Sequence, residues 1–407
     1  MDVFQNPADF GIKKVYQVQA LYNTDSTLEF VLQPDKFHLL LADVYLNFSV
    51  ELDPNYVLDN QAAKLFDSVE VIVGGEKVSS RSNSNEYFLS SFFKTKANHN
   101  RAHFGNMLLP AGWFSNTNLG TQFILDEEKE GKTSKLIKRH TMKEIKGSNG
   151  TLTGRLYTFS MQIESPLFQQ MKPLPSNIPI QINFKRANPE LAVIKCTKST
   201  TKYYQSHSID ILHPYLEVSA YHSDELSKQL SLERYESIEY PIEDNVIRTH
   251  TIEKGVNNVS FSATSGGKLP KMIFTSLAIP NAFNGDEQVS PTMFNRNDMS
   301  KIELLVDNKT LPGSSIDMDN YILPYTKFHR ECKLLPNYFI GELMFHNEFD
   351  IGNVMTAYDF NNIEQKSGWL TVKIDFDKPI PGPLILIVYM IYDKVISFEK
   401  DGSVIVH

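Results

Sequence analysis

The feature that most constrains this chain is that it repeats itself. Val69-Glu70-Val71-Ile72-Val73-Gly74-Gly75-Glu76-Lys77-Val78 is answered by Ile302-Glu303-Leu304-Leu305-Val306-Asp307-Asn308-Lys309-Thr310-Leu311. Each segment reads as a strand, a two-residue turn and a return strand. Gly-Gly and Asp-Asn both suit the positive φ angles of a tight hairpin. Shortly after each comes Tyr87-Phe88-Leu89 or Tyr321-Ile322-Leu323, opening a short helix. Upstream, residues 15–20, a turn and residues 28–32 parallel residues 247–252, a turn and residues 259–263. Order and spacing agree as well as composition, which separates this from hairpins that look alike by chance. The chain reads as two copies of one unit.

The unit is β. Val44, Leu46, Phe48, Val50 and Leu52 alternate with Tyr45, Asn47, Ser49 and Glu51, the period of a half-buried strand. The same period recurs in residues 69–73, at Tyr157, Phe159, Met161 and Ile163, at Ile178, Ile180, Ile182 and Phe184, and at Leu370, Val372, Ile374 and Phe376. Residues 384–390 are apolar without a break, so that strand is expected to be covered on both faces. Helical signals are short: residues 85–94, 223–233 and 325–335, with Ser223 as a cap ahead of Asp224 and Glu225. Many short strands separated by turns define an all-β chain of two tandem antiparallel sandwiches with a few short helices. The expected division is residues 1–222 and 223–407. The copies differ most at residues 95–155, a long insertion in the first, against residues 333–368 in the second. Long insertions of this kind are surface loops with a function or a mobility of their own.

Composition narrows the function. Two cysteines, Cys196 and Cys332, are too few and too far apart for a disulfide framework or a metal knuckle. No apolar run reaches the length needed to cross a bilayer. Met1-Asp2-Val3-Phe4 lacks a basic start and an apolar core, so no secretory signal is expected. These readings describe a protein made soluble inside a cell, with no transmembrane segment. The net charge of −8 opposes non-specific coating of nucleic acid, which draws on Lys and Arg.

No constellation of catalytic, cofactor-binding or metal-ligating residues stands out. His99 and His103 are four apart, but Asn98, Asn100 and Arg101 around them describe a polar loop. Asp317-Met318-Asp319-Asn320 lacks the glycine and distal glutamate of a calcium loop. Ser265-Gly266-Gly267-Lys268 lacks the first glycine of a phosphate loop and reads as a strand connection. Asp375 and Asp377 only keep one strand face wet. Lys132, Lys135, Lys138, Arg139, Lys143 and Lys146 form a basic stretch without interleaved aromatics, which reads as a solvated loop able to pair with a neighbouring subunit.

Leu269-Pro270-Lys271-Met272-Ile273-Phe274, running on to Pro280-Asn281-Ala282-Phe283-Asn284-Gly285, then Phe294-Asn295 and the strand from Ile302 to Val306, resembles the Polinton (Maverick) and polinton-like virus capsid family. Gly368-Trp369-Leu370-Thr371-Val372 and the strands that follow it are similar to that family's last strands. The likeness covers residues 240–407. In the first half, Met171-Lys172-Pro173-Leu174-Pro175 fits without being diagnostic. The insertion at 95–155 and the compact length depart from the family and leave open an adintovirus or virophage relative. The resemblance implies two tandem eight-stranded jelly-rolls, a double jelly-roll major capsid protein. It implies a homotrimer of pseudo-hexagonal outline, tiling an icosahedral shell around double-stranded DNA, with a single jelly-roll penton or minor capsid protein as partner. It implies no enzyme activity, no cofactor, no metal and no sequence-specific nucleic-acid contact. Two rival functions are a carbohydrate-binding or glycan-active double sandwich, for which Trp113 and Trp369 offer little platform, and a minor capsid or vertex protein, against which the duplication argues.

Overall fold

The period-two segments form strands with one face buried. In β4 (His38–Leu52), Val44, Leu46, Phe48 and Val50 are at most 2% exposed, while Tyr45, Asn47 and Ser49 between them are half-buried. The computed structural model describes residues 11–33, 36–54, 56–59, 61–78, 85–98, 110–111, 142–195, 209–232, 235–319, 322–332, 352–361 and 363–407.

One sheet of the first sandwich runs β1 (Ile12–Gln19), β12 (Ile211–His222), β4, β9 (Leu152–Gln162), β8 (Met142–Lys146). Its partner runs β2 (Tyr22–Asn23), β3 (Thr27–Leu32), β10 (Ile180–Arg186), β6 (Phe66–Val73), β7 (Glu76–Lys77). A separate ribbon pairs β11 (Val193–Lys195) with β5 (Tyr56–Leu58). In the second sandwich one sheet runs β13 (Ser237–Ile252), β21 (Leu384–Glu399), β15 (Met272–Ala278), β19 (Met355–Asp359), with β22 (Val404–Val406) on β21. The other runs β14 (Asn258–Ser262), β20 (Leu370–Phe376), β16 (Met299–Val306), β17 (Lys309–Thr310), with β18 (Ile316–Asp317) beside β16. The strand ladders are antiparallel.

Side by side, the two sandwiches have one topology. The order β1-β12-β4-β9 answers to β13-β21-β15-β19, and β3-β10-β6-β7 answers to β14-β20-β16-β17. Each sandwich thus contains the same eight-stranded jelly-roll core, in which β7 and β17 are two-residue return strands, with short additional strands at its edges. The repeated hairpins close as their sequences require: Gly74 and Gly75 have φ of 59° and 92°, Asp307 and Asn308 of 50° and 64°. Prolines fall where a strand tolerates them. Pro241 lies on the edge strand β13, and Pro214 sits in the register break of β12 between Leu212 and Tyr215.

The sheets of the first sandwich meet face to face, with Phe48 of β4 and Phe66 of β6 packed edge-on at 5.8 Å. A single contiguous apolar cluster runs through both sandwiches. The segment 384–390 is buried throughout, at 8% exposure or less, as its unbroken apolar sequence predicts. The expected helices appear as Glu86–Asn98, Asp224–Gln229 and Ile322–Glu331. Ser223 caps the second, its Oγ accepting from the Leu226 N–H at 3.0 Å.

Two expectations need correction. The stretch 95–155 is not all connection: it holds the end of the first helix, β8 and the start of β9. β8 escaped notice because Met142-Lys143-Glu144-Ile145-Lys146 has no apolar stripe. Among the described residues it pairs with β9 alone, and charged residues blunt such sheet edges against unwanted pairing. Residues 99–109 and 112–141 of that stretch, with His99, His103, Trp113 and the basic side chains from Lys132 to Arg139, lie outside the described residues, as does Cys196. The second concerns Pro280–Asn284, which the family resemblance would make a turn and which forms one helical turn with proline at its start, where the missing N–H costs nothing.

Candidate assembly surface

The seam between the two sandwiches is built from polar side chains that would be costly to bury alone. Lys64, on a short turn entering β6, has no solvent exposure. Its Nζ donates to Asp59 Oδ2 at 2.5 Å in its own sandwich. It also donates to Ser290 Oγ at 3.2 Å and Thr292 Oγ1 at 3.1 Å in the other. A buried ammonium is tolerated only when its protons are met by acceptors, so these contacts fix how the sandwiches sit together. Nearby, the Tyr56 hydroxyl faces Glu287 at 3.4 Å. Burial, reinforced by the Glu287 charge, pushes that phenol up to about 12.

The segment that carries the sequence resemblance lies on this seam. Asn85 Nδ2 donates to the Phe283 carbonyl at 2.8 Å, and Asn188 Nδ2 to the Asn284 carbonyl at 3.1 Å. Gly285 follows at φ 110°, and a Cβ there would come within 2.5 Å of Asn188 Nδ2. Only glycine gives both the backbone angle and the close approach. Further along, the Met171–Pro175 stretch is also at the seam. Lys172 Nζ stands 4.5 Å from the Tyr240 ring centroid and donates to the Glu239 carbonyl at 3.1 Å. The Tyr240 hydroxyl donates to the Pro173 carbonyl at 2.7 Å. None of these pairings was legible in the sequence, because each joins residues far apart in the chain.

Helix Glu86–Asn98 fills the remaining gap. Phe93 stacks on Tyr389 of β21 at 5.2 Å and on Phe294 at 5.9 Å, and Phe92 meets Phe294 edge-on at 5.4 Å. Helix Ile322–Glu331 packs on the same sheet from its own sandwich, with Phe328 6.1 Å from Phe274. The sheet β13-β21-β15-β19 is thus covered on both sides. Its counterpart β1-β12-β4-β9 presents Lys13, Val15 and Gln17 exposed and Tyr45, Asn47 and Ser49 half-buried. A groove of about 570 Å³ lies on this outer face, between Tyr45, Tyr221, Gln162 and Met171 and edged by Lys94 and Thr95 of the first helix.

The motifs weighed for chemistry have structural work. Asp317 Oδ1 accepts from the Asp319 N–H at 2.9 Å, and Asp319 and Asp377 both lie near Arg296, at 3.3 and 3.1 Å. Gly266 and Gly267, at φ 93° and 90°, connect β14 to β15, as the sequence reading has it. Lys143 and Lys146 are exposed on β8, Lys146 paired with Glu144 at 3.5 Å. Among the described residues no three His, Cys, Asp or Glu side chains gather as a metal group would. Among the same residues no helix is long and apolar enough to cross a membrane.

No family model matches this sequence. An uncharacterized protein of Caenorhabditis elegans is 19% identical over 337 residues, 78% of this chain and 74% of its own length. Solved structures align over nearly the whole chain. A chain of the Sputnik virophage, seen by cryo-electron microscopy, matches with a TM-score of 0.68 at 11% identity, covering 97% of this chain and 88% of its own. The mavirus major capsid protein matches with a TM-score of 0.59 at 10% identity, covering 97% and 90%. A chain of the PBCV-1 capsid matches with a TM-score of 0.58 at 10% identity, covering 98% and 97%. The fold is therefore that of a double jelly-roll, and both jelly-rolls and their relative placement have their like in these capsid chains.

Proposed function

We infer that this chain is a structural virion protein, the major capsid subunit of a DNA virus or virus-like element of the Polinton and virophage kind. Residues 1–222 and 223–407 are its two tiles. Three chains close into a homotrimer with six similar walls, which packs on a near-hexagonal lattice as an icosahedral shell around double-stranded DNA. The subunit is made soluble in the host cell. A single jelly-roll penton protein fills the fivefold positions that a pseudo-hexagonal tile does not fit. Nothing in this role calls for catalysis.

The observation that supports the reading most is that the likeness spans both sandwiches at once. A TM-score of 0.68 over 97% of the chain requires their relative placement to agree as well as their separate folds. The buried Lys64 cluster gives that placement a physical basis, since rotating one sandwich against the other would strip the buried ammonium of its Ser290 and Thr292 acceptors and leave it Asp59 alone.

Electron microscopy of the purified full chain tests this. Threefold particles with a hexagonal outline are expected, and sheets or shells at high concentration. Compact two-lobed monomers under every condition tried would overturn the reading.

A further inference from the structure

A small cavity in the seam has walls rich in oxygen. Its volume is about 20 Å³, and roughly 10–15 Å³ of such space admits one water-sized particle. Glu86 and Tyr87 line it from the start of the first helix, Ser68 from β6, and Glu164 and Ser165 from the segment after β9. Asn245 of β13 closes it from the second sandwich. Ser68, Glu86, Ser165 and Asn245 are all buried.

Two of these side chains have oxygen to spare. Ser165 is 2% exposed, and its hydroxyl has no hydrogen-bond partner. A serine just ahead of a helical turn ordinarily accepts a backbone N–H with its Oγ. Ser165 precedes the turn Pro166–Gln169 and makes no such bond. A buried hydroxyl left unpaired is costly, and the cavity is the space this one lines. Glu164 uses its Oε1 twice, accepting from Lys94 Nζ at 2.7 Å and from Gln169 Nε2 at 2.9 Å. Those contacts leave Oε2 for another ligand. The Glu164 N–H donates to the Tyr87 hydroxyl at 3.2 Å, which fixes the backbone from which the carboxylate extends.

The set is carboxylate, hydroxyl and side-chain amide, without imidazole or thiol. An anion would meet the Glu86 and Glu164 carboxylates, and a soft metal would find no nitrogen or sulfur ligand of its kind. Oxygen of this mixed sort suits a hard cation. Calcium completes its shell from a few carboxylates together with neutral oxygens and water. There is also a way in: Glu164 lines both this cavity and the groove on the outer face of the first sandwich.

We propose that the cavity binds one calcium ion between the two sandwiches, with Glu86, Glu164, Ser165 and Asn245 supplying oxygen. Three of these ligands belong to the first sandwich and one to the second, so the bound ion fastens the seam. The site is complete within one chain and does not depend on assembly.

The test uses the full chain, stripped with a chelator and titrated with calcium or terbium alone. Terbium is close to calcium in size and emits when excited through a neighbouring aromatic ring, here Tyr87. Tyrosine-excited terbium emission should appear on titration and be displaced by calcium. Calcium at a tenfold excess over its Kd should raise Tm by about 2 °C. Ser165→Val fills the cavity and removes the orphan hydroxyl, whereas Glu86→Gln keeps the shape and removes a charge. With the fold checked by circular dichroism, each should weaken terbium binding by roughly tenfold or more. If Ser165→Val fails to fold, Glu86→Gln and the wild-type titrations decide. Absence of both the emission and the calcium-dependent Tm rise in the wild type would overturn the site and leave the cavity to water. Binding that the folded variants leave unchanged would overturn it as well, by placing the ion elsewhere.

Discussion

Phe93 and Tyr389 stack across the seam, ring centroids 5.2 Å apart and planes 9° from parallel, one ring from each sandwich. Both are fully buried. The contact ties the first helix to the central strand of the second sandwich, so the two jelly-rolls share a core and are expected to unfold together.

Phe93→Ala should therefore lower stability by about 3–5 kcal/mol, the range for removing a large buried aromatic. Urea unfolding of the full chain measures it. The wild type should show one transition. The variant should show an earlier one, or two if the sandwiches come apart. An unchanged midpoint would mean that the helix does not hold the seam.

Lys64→Met leaves Asp59 buried without its cation, and should cost about 3–5 kcal/mol. Adding Asp59→Ala should recover part of that loss, since Ser290 and Thr292 still bond each other at 3.1 Å. Denaturant midpoints of the two single variants and the double variant give the coupling. Strictly additive losses would show that the pair acts independently.

His329 gives a pH signature. It is 2% exposed on the helix Ile322–Glu331, and burial lowers its pKa from 6.5 to about 4. The unfolded chain binds this proton below pH 6.5 and the folded chain only near pH 4, so stability is complete above 6.5 and falls as pH drops between those values. The loss attributable to this group is at most about 3 kcal/mol. His329→Phe should flatten that part of the stability curve, read as Tm between pH 7 and 4.5. Parallel curves for wild type and variant would contradict the assignment.

The strands were legible because burial writes itself into a period of two. Val44, Leu46, Phe48 and Val50 announce β4, and the Gly74-Gly75 and Asp307-Asn308 turns announce the hairpins whose likeness gives the duplication. The seam was not legible. Lys64, Asp59, Ser290 and Thr292 belong to no local pattern, and their meaning comes from a partner in the other half of the chain. Pro280–Asn284 was recognised as a motif, but its role at the seam, with carbonyls turned to Asn85 and Asn188, depends on where the fold carries it. β8 shows the opposite failure, an edge strand with too little apolar character to be seen.

The central claim is that this duplicated fold exists to assemble, and the mass of the full chain in solution tests it most directly. Light scattering across salt and pH should give a particle near three times 46.4 kDa. A mass of 46.4 kDa for the wild type under every condition would contradict the account.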